Sequence, residues 1–260
     1  MTRKLEGHVA IVTGASKGIG RAIALRLAQD GVCVAVCARD SESLNDVVRE
    51  IESNGGKAAA CALDLRMPEN PAKLAAFAVA MFGAIHIVVN NAGATKRGEF
   101  EALTEEDWAD GFALKFFGSV RLARASWPHL KAVRGSLIFI SGVGGRTPGA
   151  EFAIGGSVNA ALLSLTKSLA ETGLRDGVRV NAISPGTIRT ARFQTRVEAL
   201  AAERKIPVSE AEREYVKIHK IACIGEPSDV AALAAFIAGP EGRLFHGSLI
   251  DMDGGATKTI

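Results

Sequence analysis

Aromatic residues make up only 5% of the 260-residue chain, and among them is a single tyrosine, Tyr215. Any chemistry that needs a tyrosine hydroxyl elsewhere in the sequence is therefore excluded. Cysteine is scarce as well. Cys33 and Cys37 share one face of the alternating run VCVAVC, Cys61 and Cys223 stand apart, and a disulfide scaffold is ruled out. The strand cysteines read as small buried apolar residues. The five histidines, His8, His86, His129, His219 and His246, show no ligand spacing, so no metal is expected. No apolar run reaches the ~18–20 residues of a membrane span, the nearest, Leu74 to Val89, being broken by Gly83 and His86. The N-terminal MTRKLEGHVAIVTG has no apolar signal region, which reads as a cytoplasmic protein. Lys and Arg form no runs and the net charge is only +3, so no nucleic-acid groove and no membrane surface are expected.

What is present is an ordinary globular mix, 48% hydrophobic and 23% charged, in a chain long enough to bury a large core. Short, β-branched, nearly continuous apolar runs (HVAIVT, VCVAVC, KAAACAL, AIHIVVN, SLIFIS, VRVNAIS and GSLIDM) alternate with helical patterns at Ile19–Asp30, Ser41–Ser53, Glu69–Phe82, Glu105–Val133 and Glu151–Thr172. That alternation predicts an α/β fold: one doubly wound parallel sheet with helices on both faces, and one domain over residues 1–260. Residues 191–221 break the rhythm as a charged helical excursion before the last strand. They read as a lid over a substrate or as a solvated insertion.

The first strand runs into Thr13-Gly14-Ala15-Ser16-Lys17-Gly18-Ile19-Gly20. Glycines allow a tight turn and close backbone approach, and a helix start offers N–H groups to a phosphate. The second strand ends in Ala38-Arg39, without the carboxylate that would bind a ribose hydroxyl. Arg39 and Lys17 suit a phosphate dianion instead, although Asp40 follows directly and a plain surface arginine would look the same.

The chain resembles the short-chain dehydrogenases/reductases over nearly its whole length. The glycine turn, Asp64-Leu65, Asn90-Asn91-Ala92-Gly93, Ser141, Arg179-Val180-Asn181 through Pro185-Gly186, Thr187, Ile188 and Thr190, and Asp253-Gly254-Gly255 match that family's motifs in order. The resemblance implies a Rossmann-type fold, a bound NADP(H), a small carbonyl or alcohol substrate, and a homotetramer, or at least a dimer, paired through helices 109–133 and 156–172. It implies cofactor contacts at Gly14, Ser16, Lys17, Gly18, Ile19, Gly20, Arg39, Asp64, Leu65, Asn91, Ala92, Gly93, Pro185, Gly186, Thr187, Ile188 and Thr190, and catalytic roles for Ser141 and Lys115.

The family's Tyr-x-x-x-Lys motif is missing. Counted from Ser141, its two positions fall on Ile154 and Val158, which lie on an apolar stripe with Leu162, Leu165 and Leu169. Loss of a positioned general acid typically costs 10²–10⁴-fold in rate. Lys115 stands where the family carries an asparagine. It either relocates the missing positive charge or snorkels to solvent or a carboxylate. Two functions stay open: an NADP(H)-dependent oxidoreductase with a rebuilt proton path, and a non-catalytic NADP(H)-binding sensor or partner subunit.

Overall fold

The computed structural model describes residues 5–258. Its seven strands are β1 (Val9–Thr13), β2 (Cys33–Ala38), β3 (Lys57–Ala62), β4 (Ile87–Asn90), β5 (Ser136–Ile140), β6 (Arg179–Pro185) and β7 (Leu249–Met252). They form one sheet in the order β3-β2-β1-β4-β5-β6-β7. Every pairing is parallel. This is the single-domain, doubly wound architecture that the strand–helix alternation predicts.

Helices cover both faces, as they must when the strands are apolar on both sides. One face packs α1 (Gly18–Gln29), α2 (Ser41–Ser53) and α9 (Pro227–Ala238) through Ile23, Leu27, Leu44, Ile51, Val230 and Ile237. The other packs α3 (Asn70–Phe82), α5 (Ser119–Val133) and α6 (Ala153–Asp176) through Leu74, Leu122, Leu130 and Leu162. Helix α9 has no counterpart in the sequence reading. Its run PSDVAALAAFIA is apolar nearly all round, so it lacks the stripe that marks a surface helix.

The long pattern over Glu105–Val133 is not one regular helix. It consists of α4 (Glu105–Phe112), a wide π-helical turn over Ala113–Gly118, and α5. Such a turn re-aims side chains and recurs at functional sites, and here it carries Lys115. The excursion at 191–221 is a pair of helices, α7 (Ala191–Arg204) and α8 (Val208–His219), with a small core of its own made by Phe193, Val197 and Tyr215. Cys37 is buried and Cys33 partly so; burial, with Cys61 beside it, pushes the Cys37 thiol up to about 12. Among the described residues no helix is long and apolar enough to cross a membrane.

Strand order reverses between β2-β1 and β4-β5, so the crevice beyond the carboxyl ends of β1 and β4 is where such a sheet binds its ligand.

Candidate active site

The crevice begins at the turn after β1. Gly14 and Gly18 take left-handed φ values of +64° and +58°. A Cβ on Gly14 would stand 2.9 Å from Asn91 Nδ2, and one on Gly20 would collide with the Gly14 carbonyl. The turn thus presses against the loop after β4 and closes over the helix start. Asn91 fastens the two, its Nδ2 donating to the carbonyls of Thr13 at 2.9 Å and Gly14 at 3.3 Å. Thr13 Oγ1 accepts from the backbone N–H groups of Asn91 and Ala92, both at 2.9 Å. Lys17 precedes α1 in extended conformation and no side chain caps the helix. Its first N–H groups and the positive end of its dipole are left for an anion.

Arg39, after β2, and Lys17, before α1, are exposed and neither forms an ion pair among the described residues. Asp40 is committed elsewhere. Its carboxylate caps α2, accepting from the N–H of Glu42 at 3.1 Å and of Ser43 at 3.4 Å, and from the Ser43 hydroxyl at 2.5 Å. The Ser43 hydroxyl bond, and more weakly the charge of Lys17, hold its pKa below the usual carboxylate value. The Asp40 carboxylate is thus committed to the start of α2. Asp64 is also engaged, by Arg66 through Nε at 3.0 Å and Nη2 at 2.8 Å, and the Arg66 bond lowers its pKa. Leu65 beside it is buried.

On the far side, Gly18 meets Thr190, whose Cγ2 would lie 3.4 Å from a Cβ there. The segment Pro185-Gly186-Thr187-Ile188 leads from β6 to Thr190 at the start of α7, and Ile188 bridges to Gly225. The glycine turn, the loop after β4 and the loop after β6 therefore meet at one crevice, as the motif order implies.

The centre of the site is Lys115. Its stem lies along Gly93, where a Cβ would stand 2.7 Å from Lys115 Cδ. Its Nζ donates to the Ser141 carbonyl at 2.7 Å and to Asn159 Oδ1 at 2.6 Å. Burial, and next the charge of Arg192, lower its pKa from the usual 10.5 to about 7. Lys115 is partly buried, and its amine is held by two neutral oxygens rather than by a carboxylate.

Ser141 is buried just past the end of β5, and its hydroxyl donates to the Asn159 carbonyl at 3.1 Å. A hydroxyl has one proton to donate, so Ser141 faces the site here as an acceptor. Gly142 (φ +155°) makes room for the Asn159 amide: a Cβ on it would lie 2.9 Å from Nδ2.

The two positions counted for the missing motif lie elsewhere. Ile154 and Val158 are fully buried, and Ile154 packs onto Gly111 of α4, where a Cβ would collide with it. The next residues on α6, Gly155 and Asn159, are the ones turned toward the site. Asn159 binds Lys115, while the Phe152 ring lies so close over Gly155 that a Cβ there would collide with it. On α6 it is thus Asn159, one residue past the counted Val158, that reaches Lys115.

The helix pair touches the site through Arg192 at the start of α7. Arg192 donates to the Gly93 carbonyl at 2.8 Å. Arg189, just before α7, pairs with Glu212 of α8 at 2.5 Å and with Glu226 before α9 at 2.8 Å. Phe193 and Tyr215 turn into the pair's own core with ring centroids 5.4 Å apart. Arg146 pairs with Asp251 at 3.2 Å, outside the Lys115 cluster.

A parallel switch-point crevice and a glycine turn at an uncapped helix start mark a dinucleotide-binding α/β protein. The family model for short chain dehydrogenase matches residues 8–201, and the chain belongs to that family. It is 37% identical to an uncharacterized oxidoreductase of Mycobacterium tuberculosis, covering 98% of this chain and 94% of the relative. Among solved structures it is similar to L-sorbose reductase from Gluconobacter frateurii complexed with NADPH and L-sorbose (28% identity, TM-score 0.95, 100% of both chains). It is also similar to a short chain oxidoreductase from Pseudomonas aeruginosa PAO1 containing an atypical catalytic center (28% identity, TM-score 0.92, 99% of this chain and 100% of that one).

Proposed function

We propose that the protein is an NADP(H)-dependent oxidoreductase interconverting a small carbonyl compound and its alcohol, with Lys115 as the proton-carrying group. The observation that carries this reading is the enclosed Lys115 amine, held by the Ser141 carbonyl and Asn159 Oδ1. An ammonium has three N–H bonds; two are occupied, and the third is left for a substrate oxygen.

The crevice fits the cofactor. Left-handed glycines, a turn with no room for a Cβ and an uncapped helix start suit a pyrophosphate, and Arg39 with Lys17 suits the additional 2′-phosphate. Gly14, Ser16, Gly18, Ile19 and Gly20 would hold the phosphates. Asp64 and Leu65 would border the adenine, and Asn91, Ala92, Gly93, Pro185, Gly186, Thr187, Ile188 and Thr190 the nicotinamide half. Bound NADP(H) supplies or takes up the hydride.

This chain's residues handle the proton. In the carbonyl-reducing direction Lys115, protonated, donates to the substrate oxygen; in the reverse direction neutral Lys115 accepts the alcohol proton. An amine poised near 7 serves both. Gly155 and Asn159 occupy the positions that the family gives to tyrosine and lysine. Lysine and amide have then exchanged places between α6 and the π-helical turn, and the positive charge is kept.

A second reading, a non-catalytic NADP(H)-binding protein, draws on the Phe152 ring over Gly155 and the Ser141 hydroxyl turned to a backbone carbonyl. NADPH consumption across ketones, quinones and imines, run beside NADPH fluorescence binding, separates the two. Turnover that Lys115→Met abolishes while NADPH still binds supports the enzyme. NADPH binding with no turnover on any carbonyl overturns it in favour of the second reading.

A further inference from the structure

The hydroxyl nearest the Lys115 amine is already spent: Ser141 Oγ gives its one proton to the Asn159 backbone carbonyl at 3.1 Å. The Asn159 side chain is in the opposite condition. It is buried, and its Oδ1 accepts from Lys115 Nζ at 2.6 Å. An ammonium can only donate, so the amide atom facing it is the oxygen, and the orientation of the amide is fixed. The nitrogen is the other end of that amide, with two N–H bonds and no acceptor among the described residues. Asn90 Nδ2, also without a partner, is sealed in the interior; Asn159 Nδ2 is not. It stands where a side chain at position 142 would begin, since a Cβ on Gly142 would lie 2.9 Å from it. A Cβ on Gly144 would lie 3.7 Å from Nδ2 and 2.6 Å from the Phe152 ring, so the amide nitrogen and an apolar ring flank one glycine.

Two of the Lys115 N–H bonds are engaged, by the Ser141 carbonyl and by Asn159 Oδ1. Nδ2 belongs to the same planar amide as Oδ1, so it lies within about 5 Å of Nζ, and one oxygen atom can accept from both at ~2.9 Å. We propose that Asn159 Nδ2 is a second catalytic donor, binding the substrate carbonyl oxygen beside Lys115 and stabilising the charge that gathers on it. This rests on the oxidoreductase reading and adds to it a residue that touches the reacting oxygen. As the carbonyl carbon takes the hydride that bound NADPH supplies, the C=O π pair moves onto oxygen. Lys115 gives that oxygen its proton, and Asn159 keeps both of its own. A neutral donor fixed in advance stabilises a developing oxyanion without having to reorganise. The Lys115 bond is what fixes it, so one contact seats the proton carrier and aims the second donor.

Asn159→Asp separates the two ends of the amide, because the carboxylate still accepts from Lys115 but has no N–H to donate. NADPH-dependent kcat is followed from pH 5 to 10 on hydroxyacetone, diacetyl and cyclohexanone. The profile is expected to move to higher pH as the ammonium gains a counterion, and its plateau to fall about 10²-fold. A plateau loss of tenfold or more supports the donor. A smaller loss overturns it, since Oδ1 then does no more than position Lys115. Binding tests the same contact without turnover. N,N-dimethylacetamide, whose oxygen accepts and whose carbonyl NADPH does not reduce, is titrated into the NADPH-loaded proteins. Affinity at least tenfold weaker in Asn159→Asp supports the donor; equal affinity, or no binding to the parent, overturns it. If the parent turns over none of the three ketones, that result counts against the oxidoreductase reading, and the binding arm alone decides Asn159. If the buried carboxylate prevents folding, Asn159→Met replaces it in the binding arm beside Lys115→Met. A loss greater than that of Lys115→Met supports a contact of its own for Nδ2, and a loss no greater overturns it.

Discussion

Lys115 places an ammonium where water is scarce, and the surroundings answer with a carbonyl and an amide oxygen rather than a carboxylate. Those acceptors stabilise the charge less than a counterion would, which leaves desolvation as the dominant effect. Carbonyl reduction should therefore fall as pH rises through about 7, and alcohol oxidation should rise over the same range, as initial rates in the two directions would report. Stability follows with a worked sign. Between about 7 and 10.5 the unfolded chain holds the lysine proton that the folded chain has released, so stability rises with pH by up to ~1.4 kcal/mol per unit. Below 7 both states are protonated and this slope vanishes. Urea unfolding across pH 6–10 should display the rise in the parent and not in Lys115→Met; identical slopes would contradict an enclosed amine. At the other end of the crevice, Arg39 and Lys17 should favour NADPH over NADH at least tenfold, ~1.4 kcal/mol. Arg39→Asp should invert that order, and equal affinities in the unmodified protein would remove the case for the 2′-phosphate.

At the scale of elements, α6 explains what the sequence could and could not yield. Its apolar stripe is legible, because Ile154, Val158 and Leu162 recur at helical spacing and are fully buried. Which of its remaining positions face the site is not legible, since glycine and asparagine carry no periodic signal. The π-helical turn is equally silent: Ala113–Gly118 reads as ordinary helix, and only the fold shows that Lys115 leaves it toward Ser141. Strands were easier, since a β-branched run in a parallel sheet has few other places to go. The glycine turn was legible because its backbone angles exclude most other residues. Ile154→Ala should destabilise by about 2–5 kcal/mol through the cavity left against Gly111, while leaving NADPH affinity in the folded fraction unchanged. Chemical denaturation with cofactor titration measures both. Ile154→Tyr should unfold the protein rather than restore a proton donor, because that side chain points into the core.

For the whole molecule, α5 and α6 run side by side on one outer face, tied by the Trp127 indole and the Lys131 ammonium, both on Asp176 at 2.8 Å. The π-helical turn before α5 and the last turns of α6 expose Phe117 (45%) and Leu174 (68%). Large apolar side chains left to water on a rigid helical face suit a self-complementary contact, in which each residue meets its own face across a twofold axis. The resemblance to the family points to the same two helices. The protein should therefore run as a homotetramer, or at least a dimer, at micromolar concentration in multi-angle light scattering. Phe117→Asp with Leu174→Asp should lower the assembly state, because a twofold axis brings each new carboxylate close to its copy in a desolvated contact. Since the same face carries the turn that holds Lys115, dissociation should also reduce turnover more than NADPH affinity. A monomeric parent would refute the assembly, and a monomeric double variant with full turnover would show that the face does not support the site.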